Sequence, residues 1–95
     1  MTFTKNFRKG NRIRICRMTA RYSQKDLAFL LDLPVTSISR WENGSRTPGV
    51  YYAIGLAVAL HRLVDEIFRD FRDEWVEKIN QRAKTLSQKV KKIER

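Results

Sequence analysis

Thr36, Arg40 and Asn43 stand at i, i+4 and i+7. On a helix that spacing brings three polar side chains to one face. Val35, Ser37 and Ser39 lie beside them, and no acid interrupts the stretch from Val35 to Trp41. Hydroxyls, an amide and a guanidinium of this kind are recognition groups. A guanidinium can grip two acceptors at once, and small side chains let a partner come close. The chemistry on offer is hydrogen bonding to an acceptor-rich, negatively charged surface.

Such a face needs an anchored helix behind it. Ile38 and Trp41 point the other way and supply the anchor, so a helix is expected over about 35–43, stopping at Asn43-Gly44. Pro34 suits the first turn of that helix. Upstream, Ser23 with Asp26 three residues on reads as a shortened capping box, and Leu27, Ala28 and Leu31 supply the apolar stripe of a helix over about 24–31. Between the two, Asp32 tolerates a left-handed turn and Leu33 can return to the core. Ile13, Cys16 and Ala20 predict a first helix over about 11–20. A fourth, over about 49–61, is apolar almost all round from Ala53 to Leu60, so its second face must be covered by something else. From Leu63 onward, Val64, Phe68, Phe71, Trp75, Ile79, Ala83, Leu86, Val90 and Ile93 keep helical spacing. One helix over 63–93 would reach roughly 45 Å, too long for so small a core to bury its whole stripe. Position 61/62 is the expected joint.

The charge fits a polyanionic partner. The chain of 95 residues carries a net charge of +10, with pI near 10.4, which favours nucleic acid or an anionic surface. Residues 1–24 hold seven Lys/Arg and no acid; residues 65–77 hold six acids; residues 78–95 hold seven Lys/Arg against Glu94. Cys16 is the only cysteine, which excludes an intrachain disulfide and a multi-Cys zinc site and fits the cytoplasm. It reads as a small buried hydrophobe. No signal peptide is visible, and the longest apolar run, residues 53–60, is too short to cross a bilayer. Lone His61 is a poor metal ligand. With no catalytic dyad, metal cluster or phosphate-cradling glycine loop, neither enzyme activity nor a cofactor is expected.

Two helices at a sharp angle, the second with a polar outer face, make a helix-turn-helix signature. The ordered set R-x5-S-Q-x2-L-A-x9-I-x2-W-E-N-G-x3-P, from Arg17 to Pro48, resembles the Xre/Cro/C1 family of DNA-binding domains, which includes the phage repressors. Val64–Phe68, "VDEIF", resembles the start of that family's fifth helix. The likeness covers about residues 11–68. It implies an all-α, five-helix repressor-like domain, here with a long C-terminal amphipathic helix, and double-stranded DNA as partner. It also implies base contacts from Val35, Thr36, Ser37 and Arg40, with Ser39 nearby. Backbone contacts are implied for Gln24, Asn43, Arg46 and Thr47, to which Ser23, Arg8 and Arg17 are added. Arg17 and Glu42 match a structural ion pair of the family. Arg21 and Asp32 stand where the family often has Gly, and Pro34 where it has Ser or Thr.

Three segments are therefore expected: a basic arm over 1–10, a DNA-binding domain over 11–68, and a helical extension over 69–95. The extension is expected to join a homodimer through Val58, Phe71, Trp75, Ile79 and Leu86, its acidic and basic halves complementing one another in antiparallel order. The alternative is that it folds back over the fourth helix. The functional expectation is a transcriptional regulator, a repressor that occupies an inverted repeat. Two other readings share these features. One is an antitoxin-like autoregulator whose C-terminal helix holds a protein partner. The other is an RNA-binding adaptor, disfavoured by few exposed aromatics.

Overall fold

A computed structural model describes residues 11–94, with side chains as far as Gln88. The arm over 1–10, Arg8 included, lies outside the described residues. Six helices follow in order and no strand occurs among the described residues: α1 Ile13–Thr19, α2 Gln24–Leu31, α3 Val35–Glu42, α4 Val50–Leu60, α5 Val64–Ile67 and α6 Arg69–Glu94.

Local chemistry sets the boundaries. Asn11 is buried; its Oδ1 accepts the Ile13 N–H at 3.1 Å and its Nδ2 donates to the Trp41 carbonyl at 3.0 Å, so one amide opens α1 and ties it to α3. Ser23 begins α2 with a reciprocal capping box: the Asp26 N–H donates to Ser23 Oγ and the Ser23 N–H to Asp26 Oδ2. These bonds hold the Asp26 carboxyl below its ordinary range, the Ser23 backbone bond contributing most. Asp32 leaves α2 at φ 57°, and Arg21 and His61 also take positive φ. Those turns favour glycine; here longer residues accept them. Pro34 is the residue before α3 rather than part of its first turn, with extended backbone.

The core gathers Ile13, Cys16, Leu27, Ala28, Ile38, Trp41, Ala53, Leu56, Leu60, Ile67 and Phe68. Gly55 permits close packing of α4 on α2, since a Cβ there would sit 3.0 Å from Leu31 Cδ2. Burial raises the Cys16 thiol, with Arg62 opposing, consistent with a packing role.

The single helix expected over 63–93 is divided at Phe68 (φ −108°, ψ 45°). The reason lies in one hydrogen bond: the Ile67 carbonyl accepts the Arg12 N–H at 2.6 Å and so serves the start of α1 rather than α6. Glu66 Oε1 accepts the Leu63 N–H and makes the short α5 a separate turn. The joint falls at His61, as expected. α6 does not fold back over α4: Val58 keeps 69% of its surface and Trp75 57%. The described residues extend 59 × 30 × 20 Å.

One buried ion pair joins three helices. Arg17 Nε donates to Glu42 Oε2 at 2.6 Å and its second terminal nitrogen to Oε1 at 3.2 Å. Its other nitrogen reaches the Tyr22 carbonyl at 2.9 Å, and Gln24 Nε2 donates to Glu42 Oε1 at 3.0 Å. The side chains are only 11% and 5% exposed. Glu42→Ala strands the Arg17 cation and is expected to cost about 3 kcal/mol or more of unfolding free energy. Pairing it with Arg17→Met should recover much of that loss in denaturant titrations; additive losses would show that the two side chains act separately. Ser23→Ala removes the α2 cap, for about 1 kcal/mol. Asp26 adds a pH dependence: its folded-state affinity for a proton is lowered, so its stabilisation is present above the ordinary carboxyl range and fades as pH falls through the lowered value. Asp26→Asn should flatten the acid limb of the stability profile.

Candidate nucleic-acid interface

The interface is built on α3. Ile38, Trp41 and Glu42 are buried and hold the helix. Thr36, Arg40 and Asn43 are exposed together on its outer side, as their spacing predicted, with Val35 exposed at its N-terminal end. Ser37 and Ser39 are half-buried on the flanks. No ion pair among the described residues involves Arg40 or Arg46, and both side chains are exposed. The loop that follows is shaped around Arg40. Its carbonyl accepts the Ser45 and Arg46 N–H groups at 3.0 and 3.2 Å, Ser45 Oγ donates to it, and Asn43 Oδ1 accepts the Ser45 N–H at 2.9 Å. Gly44, at φ 83°, allows that turn. Asn43, Arg46 and Thr47 are thereby presented beside the C-terminal end of α3.

The α2 N-terminus is tied to the ion-pair node through Gln24. Its first N–H groups, at Gln24 and Lys25, have no intrahelical acceptor. Two expected phosphate contacts are already engaged. Gln24 donates its amide to Glu42, and Ser23 Oγ is held by the cap of α2. Arg17 is bound on three sides by Glu42 and Tyr22, which makes it a support of α3 instead of a surface group.

The expected dimer residues separate into distinct places. Phe71 is half-buried against the core, its ring stacked on Phe68 at 6.3 Å. Trp75, Ile79 and Leu86 are exposed on α6. Val58 lines a different feature, a groove of about 590 Å³ between α2 and α4 walled by Leu30, Tyr51, Ile54 and Gly55. Exposed aromatics are less scarce than composition implied: Phe29, Tyr51 and Trp75 all face solvent, on α2, α4 and α6 and none on α3.

Sequence reasoning missed Asn11. An Asn just ahead of an apolar-periodic run is a helix-start signal that could have found it. It also missed an arginine-lined cavity of about 520 Å³, where Arg12, Arg62, Arg69 and Arg72 meet Asp65 and Glu66 beside Cys16. Arg69 and Arg72 share the first turn of α6, but Arg12 and Arg62 come from elsewhere in the chain, so no single spacing announces the group. No group of metal-ligating side chains occurs among the described residues, and no helix there is long and apolar enough to cross a membrane.

The comparisons with known proteins agree with this geometry. The restriction-modification controller protein C.AhdI from Aeromonas hydrophila is similar in structure, with a TM-score of 0.60 and 30% sequence identity, over 70% of this chain and 100% of that one. Among curated proteins, none matches. The helix-turn-helix family matches residues 13–67, from the start of α1 to the end of α5. With α3 held behind a bare polar face and more than half its length matched, the chain belongs to the Xre/Cro/C1-type helix-turn-helix family, a DNA-binding transcription regulator in fold and kind.

Proposed function

We propose that the protein is a repressor that binds an inverted repeat as a homodimer and sets α3 into the major groove. One observation carries the reading: the exposed face of Val35, Thr36, Arg40 and Asn43 is free of acids on a helix whose opposite face is buried. The major groove is about wide enough for one helix, and its base edges carry a distinct donor and acceptor code. Arg40 is the one long donor on that face and suits a bidentate contact to guanine. Val35 and the Thr36 methyl suit a thymine methyl. Ser37 and Ser39 sit at the edges of the contact. Asn43, Arg46 and Thr47, with the N–H groups at the start of α2, suit phosphates. Repression follows from occupancy, since a dimer on promoter DNA excludes polymerase. The apolar residues that α6 leaves in solvent support the homodimer.

Selection of bound sequences from a random duplex pool should return a palindrome. Recovery of no consensus, or tighter binding of single-stranded RNA than of any duplex, would overturn the reading. Arg40→Ala is expected to reduce discrimination between operator and random DNA more than it reduces affinity for random DNA. Equal losses on both would place Arg40 on phosphate. Arg46→Ala should weaken binding to all sequences alike and lower the salt dependence by about one unit of slope. An unchanged slope in salt titrations would remove it from the phosphate set.

A further inference from the structure

The arginine-lined cavity of about 520 Å³ shares no residue with α3 or with the loop after it. Its walls come from three stretches of chain. Arg12 stands just ahead of α1, Arg62 in the turn between α4 and α5, and Arg69 and Arg72 in the first turn of α6. Asp65 and Glu66 line it too, two carboxylates against four guanidinium groups. Ion pairing divides the four. Arg72 is held by Asp73 at 2.8 Å and by Asp65 at 3.7 Å, and Arg12 meets Asp70 at 3.9 Å. Arg62 and Arg69 enter no ion pair among the described residues. Glu66, the remaining acid, has Oε1 engaged by the Leu63 N–H at 2.9 Å.

A donor on the same wall is also unsatisfied. Arg12 Nε is buried and finds no hydrogen-bond partner among the described residues. An N–H left in that state is costly. Arg12 as a whole is half-buried, and its pairing with Asp70 is long, so its guanidinium can turn that donor toward an incoming acceptor.

We infer that this cavity binds the phosphate group of a small organic molecule, a monoester dianion, with Arg62 and Arg69 as its principal donors. Two uncompensated guanidinium groups match the charge of such a group, which carries about two negative charges near neutral pH. Each presents a planar fork of donors that fits two phosphate oxygens at once. A carboxylate would answer only one of them. The cavity is also of the size that takes a small molecule rather than a bare ion. Ile15 and Leu63, both exposed, line it beside the arginines and offer an apolar wall to the rest of the ligand. Arg12 and Arg62 belong to the helix-turn-helix domain and Arg69 and Arg72 to α6, so the bound dianion ties the extension to that domain.

Calorimetric titration of the full chain at low ionic strength tests the site, with phenyl phosphate as probe. Saturable binding of one molecule per chain is expected. Inorganic phosphate should bind more weakly, because it leaves Ile15 and Leu63 uncovered, and phenyl sulfate more weakly, because it carries a single charge. Arg62 and Arg69 are exposed, so their variants keep the fold; Arg62→Gln and Arg69→Gln should each weaken phenyl phosphate about tenfold. Glu66→Gln should tighten it, since the amide oxygen can still accept the Leu63 N–H while the opposing charge is gone. No saturable binding at millimolar phenyl phosphate would overturn the inference. Equal affinity for phenyl sulfate would overturn the dianion assignment. Binding lost in Arg46→Ala but retained in R62Q would place the phosphate on the α3 side and equally overturn it. Duplex DNA is the other source of phosphate. The double variant R62Q/R69Q should keep the parent's salt dependence of DNA binding; a slope lower by about two units would assign both arginines to the duplex backbone and sink the small-molecule site.

Discussion

The buried pair of Arg17 and Glu42 is the constraint on which the rest of the structure depends. Its carboxylate sits at the C-terminal end of α3, 5% exposed, within a molecule whose net charge is +10. An exposed acid there would repel phosphate. Buried against a guanidinium and the Gln24 amide, it becomes a fastener. Arg17 belongs to α1, Gln24 to α2 and Glu42 to α3, so one carboxylate fixes α3 against the two helices that support it. Such a pair contributes little net stability relative to an apolar replacement, because both ions are desolvated. Its contribution is geometric: two oxygens and three donors admit few alternative arrangements of the helices. Asn11 repeats the device at smaller scale, joining the start of α1 to the Trp41 carbonyl.

With α3 held from behind by Ile38, Trp41 and Glu42, its outer face is free of packing duties. A helix of eight residues has little intrinsic stability in water. It persists because its buried side, its ion pair and the loop bonds to the Arg40 carbonyl hold it, and none of these uses the side chains of Thr36, Arg40 or Val35. The polar outer face is therefore not needed to hold the helix in place.

Much of this was legible in the sequence, because periodicity and capping are local signals. Ile38 with Trp41, Ser23 with Asp26, and Asn43-Gly44 each announce their element within a few residues. The left-handed turns at Arg21 and Asp32 were legible through the resemblance, which has glycine there. What could not be read depends on contacts between distant segments. The break at Phe68 interrupts an unbroken helical pattern because the Ile67 carbonyl bonds to Arg12, fifty-five positions earlier. The fate of Gln24 depends on Glu42, and an exposed polar residue at a helix start looks the same whether it meets phosphate or a neighbouring carboxylate. The spacing of apolar residues likewise predicted a stripe on α6 but gave Phe71 and Trp75 equal standing. Only the position of the core separates them, one packed on Phe68 and the other in solvent.

The engagement of Gln24 has a further consequence for how such a surface discriminates. On α3 the only long donor is Arg40; its neighbours are hydroxyls and a valine. Had the Gln24 amide been free, it would have given α2 a side-chain contact to the duplex, but it is committed to the carboxylate that holds α3 in place. Under the proposed reading, direct base contacts therefore number few, and several base pairs of each half-site lie beneath side chains too short to read them by hydrogen bonding. Discrimination at those positions has to come from the energy of fitting the duplex to a rigid protein, since sequence-dependent groove width and bendability change that energy without any contact to the base edges. Rigidity is what the ion-pair node supplies. A loosely held α3 could shift to accommodate any local DNA shape and would lose that source of discrimination, so the interaction that fixes the fold also bears on how finely it can read.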